Sequence, residues 1–82
     1  MIIADVFVPS IDKTYNFSLD ENAKVSSLID ELIAMVSQRE NAPFAGSPNA
    51  VVLICKQSQQ TLPKENTLKE CAVATGSTLI LI

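Results

Sequence analysis

The spacing of apolar and polar residues changes period several times along the chain, and each change marks an element. Residues 2 to 8, Ile-Ile-Ala-Asp-Val-Phe-Val, are rich in β-branched and aromatic side chains and run into Pro9, which has no N–H to give a ladder. A first strand is predicted there. Thr14 to Leu19 alternate strictly, with Tyr15, Phe17 and Leu19 on one face and Thr14, Asn16 and Ser18 on the other. That is the pattern of a half-buried second strand. The polar link through Ser10, Asp12 and Lys13 is too short for anything but an antiparallel hairpin.

The period then shifts. Val25, Leu28, Ile29, Leu32, Ile33 and Val36 fall on one helical stripe, which predicts an α-helix from about Lys24 to Arg39, with Asn41 ending it. Asp20 and Glu21 are expected near the positive end of its dipole and Arg39 near the negative end. The stretch from Ala42 to Asn49 carries two prolines and a glycine and reads as an irregular crossing, with Phe44 tucked under it. Ala50 to Lys56 is a nearly continuous apolar strand, followed by a polar turn and a short extended pair, Thr61 and Leu62, before Pro63. Thr67 can cap a single helical turn that points Leu68, Cys71 and Val73 inward. Gly76 allows a tight turn, and Thr78 to Ile82 form the last strand.

Strand, strand, helix, strand, short strand, turn and final strand make an α+β roll with one amphipathic helix across one face of a mixed four- to five-stranded sheet. Right-handed crossover is the default for the link through the helix, with the first and last strands central. Residues 1–82 are too few for two cores and form a single domain. A composition 48% hydrophobic and 18% charged can bury one core.

Charge and residue inventory narrow the function classes. Six Lys and Arg against nine Asp and Glu give a net charge of −3 without a basic stripe, which argues against nucleic acid. No apolar run reaches membrane-spanning length and the N-terminus lacks an export leader, so a cytoplasmic protein without membrane insertion is expected. Cys55 and Cys71 then read as two reduced thiols. With no His and only two thiols, no metal site is expected, and the commonest general base is missing. Asp30, Glu31, Glu65, Glu70, Ser26, Ser27 and Thr75 could in principle do acid–base or nucleophilic work, but all read as solvated surface. The sequence therefore predicts no enzyme activity, no cofactor and no small-molecule substrate.

The segment Leu62 to Ile82, with Leu62, Thr67-Leu68, Val73 and Ser77-Thr78-Leu79 in step, resembles the closing third of ubiquitin. Within that superfamily, the run from Leu68 through Cys71 to Gly76 more closely resembles the bacterial YukD and EsaB type, ubiquitin-like proteins associated with type VII (WXG100) secretion. Ala72 and the Pro-rich crossing depart from that pattern, since many relatives would carry a glycine at 72. The resemblance implies a ubiquitin-like β-grasp fold and a role as an accessory or regulatory module in secretion. Conjugated members and sulfur carriers end in a mobile Gly-Gly tail, whereas this sequence stops at a β-branched residue in a strand, so a non-conjugated protein is expected. The β-grasp ferredoxins need four cysteine ligands for their cluster, and only two are present.

Strand parity then marks a surface. Asp5 is poorly suited to an apolar core, so Ile3, Asp5 and Phe7 are assigned to the outer face and Ile2, Ala4, Val6 and Val8 to the helix side. Lys56 likewise sends Val52 and Ile54 outward, and the ubiquitin-like pattern leaves Ile80 and Ile82 outside. Ile3, Phe7, Val52, Ile54, Ile80 and Ile82 are therefore expected to form a contiguous apolar protein-interaction patch edged by Asp5 and Lys56. Two occupants remain open for it: a protein partner, such as a membrane component of the secretion apparatus, or this protein itself, through the 42–49 crossing or a homodimer.

Overall fold

The computed structural model describes residues 1–43 and 50–82. Among the described residues, five strands and one α-helix follow in the order β1 (Ile2–Val8), β2 (Lys13–Leu19), α1 (Val25–Glu40), β3 (Leu53–Cys55), β4 (Gln60–Thr61) and β5 (Thr78–Leu81), with a single 3₁₀ turn, Pro9–Ile11, between β1 and β2. One mixed sheet contains all the strands, ordered β2-β1-β5-β3-β4. β1 pairs antiparallel with β2 and parallel with β5, and β5 pairs antiparallel with β3. The last strand in the chain is thus the middle strand of the sheet, as the α+β roll requires.

Parity follows the side-chain alternation. Ile2, Ala4, Val6 and Val8 are buried from β1, Phe17 and Leu19 from β2, Leu53 and Cys55 from β3, and Leu79 and Leu81 from β5. Val25, Leu28, Ile29, Leu32 and Val36 of α1 join the same cluster, while Ile33 packs against its margin half-buried. Among the described residues no polar or charged side chain is buried. A dry core of this kind draws its stability from apolar area removed from water, at about 25 cal/mol per Å².

α1 ends at Asn41, which turns left-handed at φ 53° and donates its N–H to Gln38. Its start differs from the dipole reading. Asp20 and Glu21 lie outside the first turn: an Asp20 carboxylate oxygen accepts the Asn22 N–H at 3.0 Å, and Glu21 lies 3.0 Å from the Met1 amino group. The first helical N–H groups are satisfied instead by the 63–67 segment, Val25 donating to the Asn66 carbonyl at 2.8 Å and Ser26 to that of Lys64 at 3.1 Å. Helix start and the 63–67 segment are therefore joined through these backbone hydrogen bonds.

The regular part of the third strand is shorter than the apolar run from Ala50, because only Leu53–Cys55 pairs on both sides. Val52 still exchanges two hydrogen bonds with Ile82, at 2.6 and 3.1 Å, so pairing with the last strand extends to the end of the chain described. The short fourth strand is Gln60–Thr61, and Leu62 turns into the core. The segment after Thr67 is a hydrogen-bonded turn closed by a reciprocal box, Thr67 N–H to Glu70 at 2.9 Å and Glu70 N–H to the Thr67 hydroxyl at 3.1 Å. Leu68 and Val73 are buried there and Cys71 is half-buried. Gly76 takes φ 95° in the turn before β5, a conformation that favours glycine. Phe44 and the rest of residues 44–49 lie outside the described residues.

Candidate protein-docking face

The side of the sheet away from α1 is built by residues of opposite parity, and the register aligns them in rows across the strands. Thr14 pairs with Phe7, Phe7 with Ile80, Ile80 with Ile54 and Ile54 with Thr61. Directly opposite residues point to the same face, so these five make one row with an apolar middle and a threonine at each end. Val52 and Ile82, joined by their two backbone bonds, form an apolar pair in the next row. On the other side lies a polar row: Asn16 pairs with Asp5, Asp5 with Thr78, and the Lys56 N–H donates to the Thr78 carbonyl at 2.9 Å. Asn16 Nδ2 donates to Asp5 Oδ1 at 2.9 Å, which orients the carboxylate along the face.

The patch positions are therefore on one face, but they are not all contiguous. Ile3 lies two residues beyond Asp5 on β1 and falls across the polar row from Phe7. Its neighbours are the turn before β5, where the Thr75 hydroxyl accepts the Ile3 N–H at 3.2 Å and the Ile3 carbonyl accepts the Gly76 N–H at 3.0 Å. The expectation that Ile3 joins the patch is corrected: it is a separate exposed side chain, 49% accessible. Register, which parity alone does not supply, makes the difference. The remaining set is Phe7, Val52, Ile54, Ile80 and Ile82, with Lys56 and Asp5 on its margin. Ile82 is 49% exposed and the other four apolar residues are half-buried, flanking one another on the sheet surface. A shallow depression of about 350 Å³ lined by Phe7, Thr14, Lys56, Thr78 and Ile80 sits where the polar and apolar rows meet. Thr14, Thr61 and Thr78 belong to this face although no sequence motif marks them. Their positions follow from alternation once the pairing is known.

The side chains weighed for catalysis do not assemble. Ser27, Asp30 and Glu31 are exposed on α1, and Glu65 lies 3.6 Å from Lys24 at the surface. Glu70 and Thr75 hold backbone N–H groups of Thr67 and Ile3. Cys55 and Cys71 are separate thiols, and burial, then the nearby Glu70 carboxylate, pushes the Cys71 thiol up, away from a reactive thiolate. Among the described residues no three acidic or cysteine side chains converge as metal ligands would, and no helix is long and apolar enough to cross a membrane.

A second cluster, invisible in the sequence, fastens the helix end to the hairpin. Lys13 Nζ donates to both oxygens of Glu40, at 3.0 and 3.1 Å, and the Tyr15 hydroxyl donates to the same carboxylate. Arg39 lies over the Tyr15 and Phe17 rings, 5.7 and 5.2 Å from their centroids. The hydrogen bond from Tyr15, then that from Lys13, holds the Glu40 carboxyl below its ordinary value, while the bond to Glu40 pushes Tyr15 and Lys13 up. Lys13 and Glu40 neutralise each other and Arg39 is held over two rings, so the cluster reads as a clamp.

Residues 4–81 match the family model described as WXG100 protein secretion system (Wss), protein YukD. No curated protein sequence matches the chain. Among solved structures it is similar to the ubiquitin-like domain of EccD5 from Mycobacterium xenopi, at 22% identity and a TM-score of 0.79 over 99% of this chain and 91% of that one. It is also similar to Caldiarchaeum subterraneum ubiquitin, at 18% identity and a TM-score of 0.74 over 99% and 90% of the two chains. A ubiquitin-like domain of an Arabidopsis thaliana protein gives 21% identity and a TM-score of 0.73 over 99% and 74%. At these identities the likenesses establish the fold, a ubiquitin-like β-grasp, and nothing beyond it.

Proposed function

The chain belongs to the YukD family of the WXG100 protein secretion system, and from that premise we propose that it is a non-catalytic, cytoplasmic accessory module that docks onto a larger component of that apparatus. The observation that carries this reading is the outer sheet face, where Phe7, Ile54, Ile80, Val52 and Ile82 adjoin one another on the side that α1 does not cover. Burying these side chains against a protein partner would remove further apolar area from water, which favours docking. Asp5 and Lys56 on its margin supply orientation rather than affinity, as rim charges do. A flat strand surface with half-buried aliphatic side chains suits a protein surface better than a small molecule, which needs an enclosing concavity.

The test is genetic and biochemical together. Phe7→Asp and Ile80→Asp, introduced separately in the organism that carries the gene, should reduce export of WXG100 proteins to the level of a deletion strain, with the variants as abundant as wild type. Undiminished export with either charge on this face would end the docking proposal.

A further inference from the structure

We propose that the same face also pairs with a second copy of this chain, outer sheet against outer sheet, about a two-fold axis that runs along β5. The inference rests on the reading above that this face is a docking surface, and it commits to a different occupant. β5 is the middle strand, with two strands on either side, so a half-turn about its line exchanges β1 with β3 and β2 with β4. The apolar row has the composition such an exchange needs. The apolar row reads Thr14, Phe7, Ile80, Ile54, Thr61. Reversed onto itself it places threonine over threonine, Phe7 over the second copy's Ile54, and Ile80 over its own equivalent. Ile82 likewise meets Ile82.

The polar row is what makes the match specific. Asp5 and Lys56 stand one strand to either side of Thr78. The half-turn sets Asp5 opposite the second copy's Lys56 and Lys56 opposite its Asp5, two identical ion pairs generated by one axis. Had both residues carried the same sign, the operation would oppose like charges. Both are exposed in the single chain, and neither forms an ion pair with another side chain of the described residues. An isologous contact demands this self-complementarity, and face-to-face sheet packing at about 10 Å accommodates it.

The area sets the strength. Five strands at about 4.8 Å spacing and three outward rows at about 7 Å give a contact of roughly 19 by 14 Å, well below the roughly 800 Å² per partner of a standard stable interface. The dimer is therefore weak and concentration-dependent. It excludes the secretion partner from the same face, so it is the form the chain takes when that partner is absent.

Sedimentation equilibrium over a concentration series tests this, with circular dichroism on every variant. The wild-type mass should climb from 8.9 kDa toward twice that value. Asp5→Lys and Lys56→Asp should each weaken self-association by roughly tenfold or more, because each sets two like-charge pairs across the axis. The double reversal, Asp5→Lys with Lys56→Asp, should restore it to within about threefold, since an exchanged pair is again complementary. If a reversed charge disturbs the fold, Asp5→Asn and Lys56→Gln replace it, and each must weaken association. A wild-type chain that stays at 8.9 kDa throughout, or a double reversal no better than the single changes, overturns the proposal. Loss of export in Phe7→Asp beside a strictly monomeric wild type removes the dimer and leaves the docking reading intact. Self-association with export untouched by Phe7→Asp does the reverse.

Discussion

At the scale of single residues, two positions carry consequences the apolar pattern does not show. Ala72 adopts φ 59°, a left-handed conformation in which Cβ crowds the following carbonyl at a cost of about 1–2 kcal/mol. It ends the turn after Thr67, its N–H donating to Lys69 at 3.1 Å. Ala72→Gly should therefore stabilise the domain by roughly 0.5–1 kcal/mol after the extra chain entropy of glycine is subtracted. A melting temperature raised by a few degrees would register it, and an unchanged or lower one would refute the strain. Glu40 gives a pH signature. Its carboxyl is held down in the fold by Tyr15 and Lys13, so its contribution is complete above the ordinary value of 4.5 and disappears as the pH falls through the lower folded value. Lys13 and Tyr15 are raised, so theirs is complete below their ordinary values and fades only in strong alkali. Glu40→Gln should accordingly melt earlier than wild type at pH 7, with the two curves converging below pH 4.5. A constant difference across that acid range would mean the carboxylate is not what the clamp uses.

At the scale of elements, α1 was the most legible part of the chain, because six apolar residues at helical spacing leave one way to bury them. Its end was legible too, since Asn41 tolerates the left-handed turn that stops it. Its start at Val25 was read to within a residue, but what satisfies its first N–H groups was not: the partners of Val25 and Ser26 are main-chain carbonyls of Asn66 and Lys64, far along the chain and independent of side-chain identity. Thr67 and Glu70 were half legible. The Thr67 cap follows from residue type, but Glu70, three residues on, was weighed as an acid rather than as the other half of a capping box. The stripe itself has a measurable consequence. Leu32 is fully buried between α1 and the sheet. Leu32→Ala should cost about 2–5 kcal/mol in urea unfolding, the lost transfer energy plus the cavity left beneath the helix. A loss below about 1 kcal/mol would place Leu32 at a site that can collapse or hydrate, contrary to this packing.

At the scale of the whole molecule, what decides function is which residues of the two sheet faces end up side by side. Asp5 and Lys56 gave the parity of the first and third strands and the ubiquitin-like pattern that of the last, and the residues they sent outward, Ile3, Phe7, Val52, Ile54, Ile80 and Ile82, are exposed or half-buried. Contiguity could not be read this way, because it depends on how far β5 slides along β1, and the sequence contains no local signal for that slide. The parallel register of Phe7 with Ile80 puts Asp5 beside Thr78 and so separates Ile3 from the rest. Phe7 and Ile80 thus become the test of the whole arrangement. Each is half-buried on the face opposite α1, whereas Leu79, the neighbour of Ile80 on the same strand, is fully buried under the helix. An aspartate at 7 or 80 keeps its hydration, and the cost should stay near the roughly 1 kcal/mol span of strand preferences. An aspartate at 79 would bury an unpaired charge and should unfold the domain. Far-UV circular dichroism with thermal melts on Phe7→Asp, Ile80→Asp and Leu79→Asp separates these cases. Folded proteins in the first two and an unfolded third fit a one-sided core with a free apolar face. Unfolding of all three would mean that the outer face is itself core, leaving no surface there for a partner or a second copy.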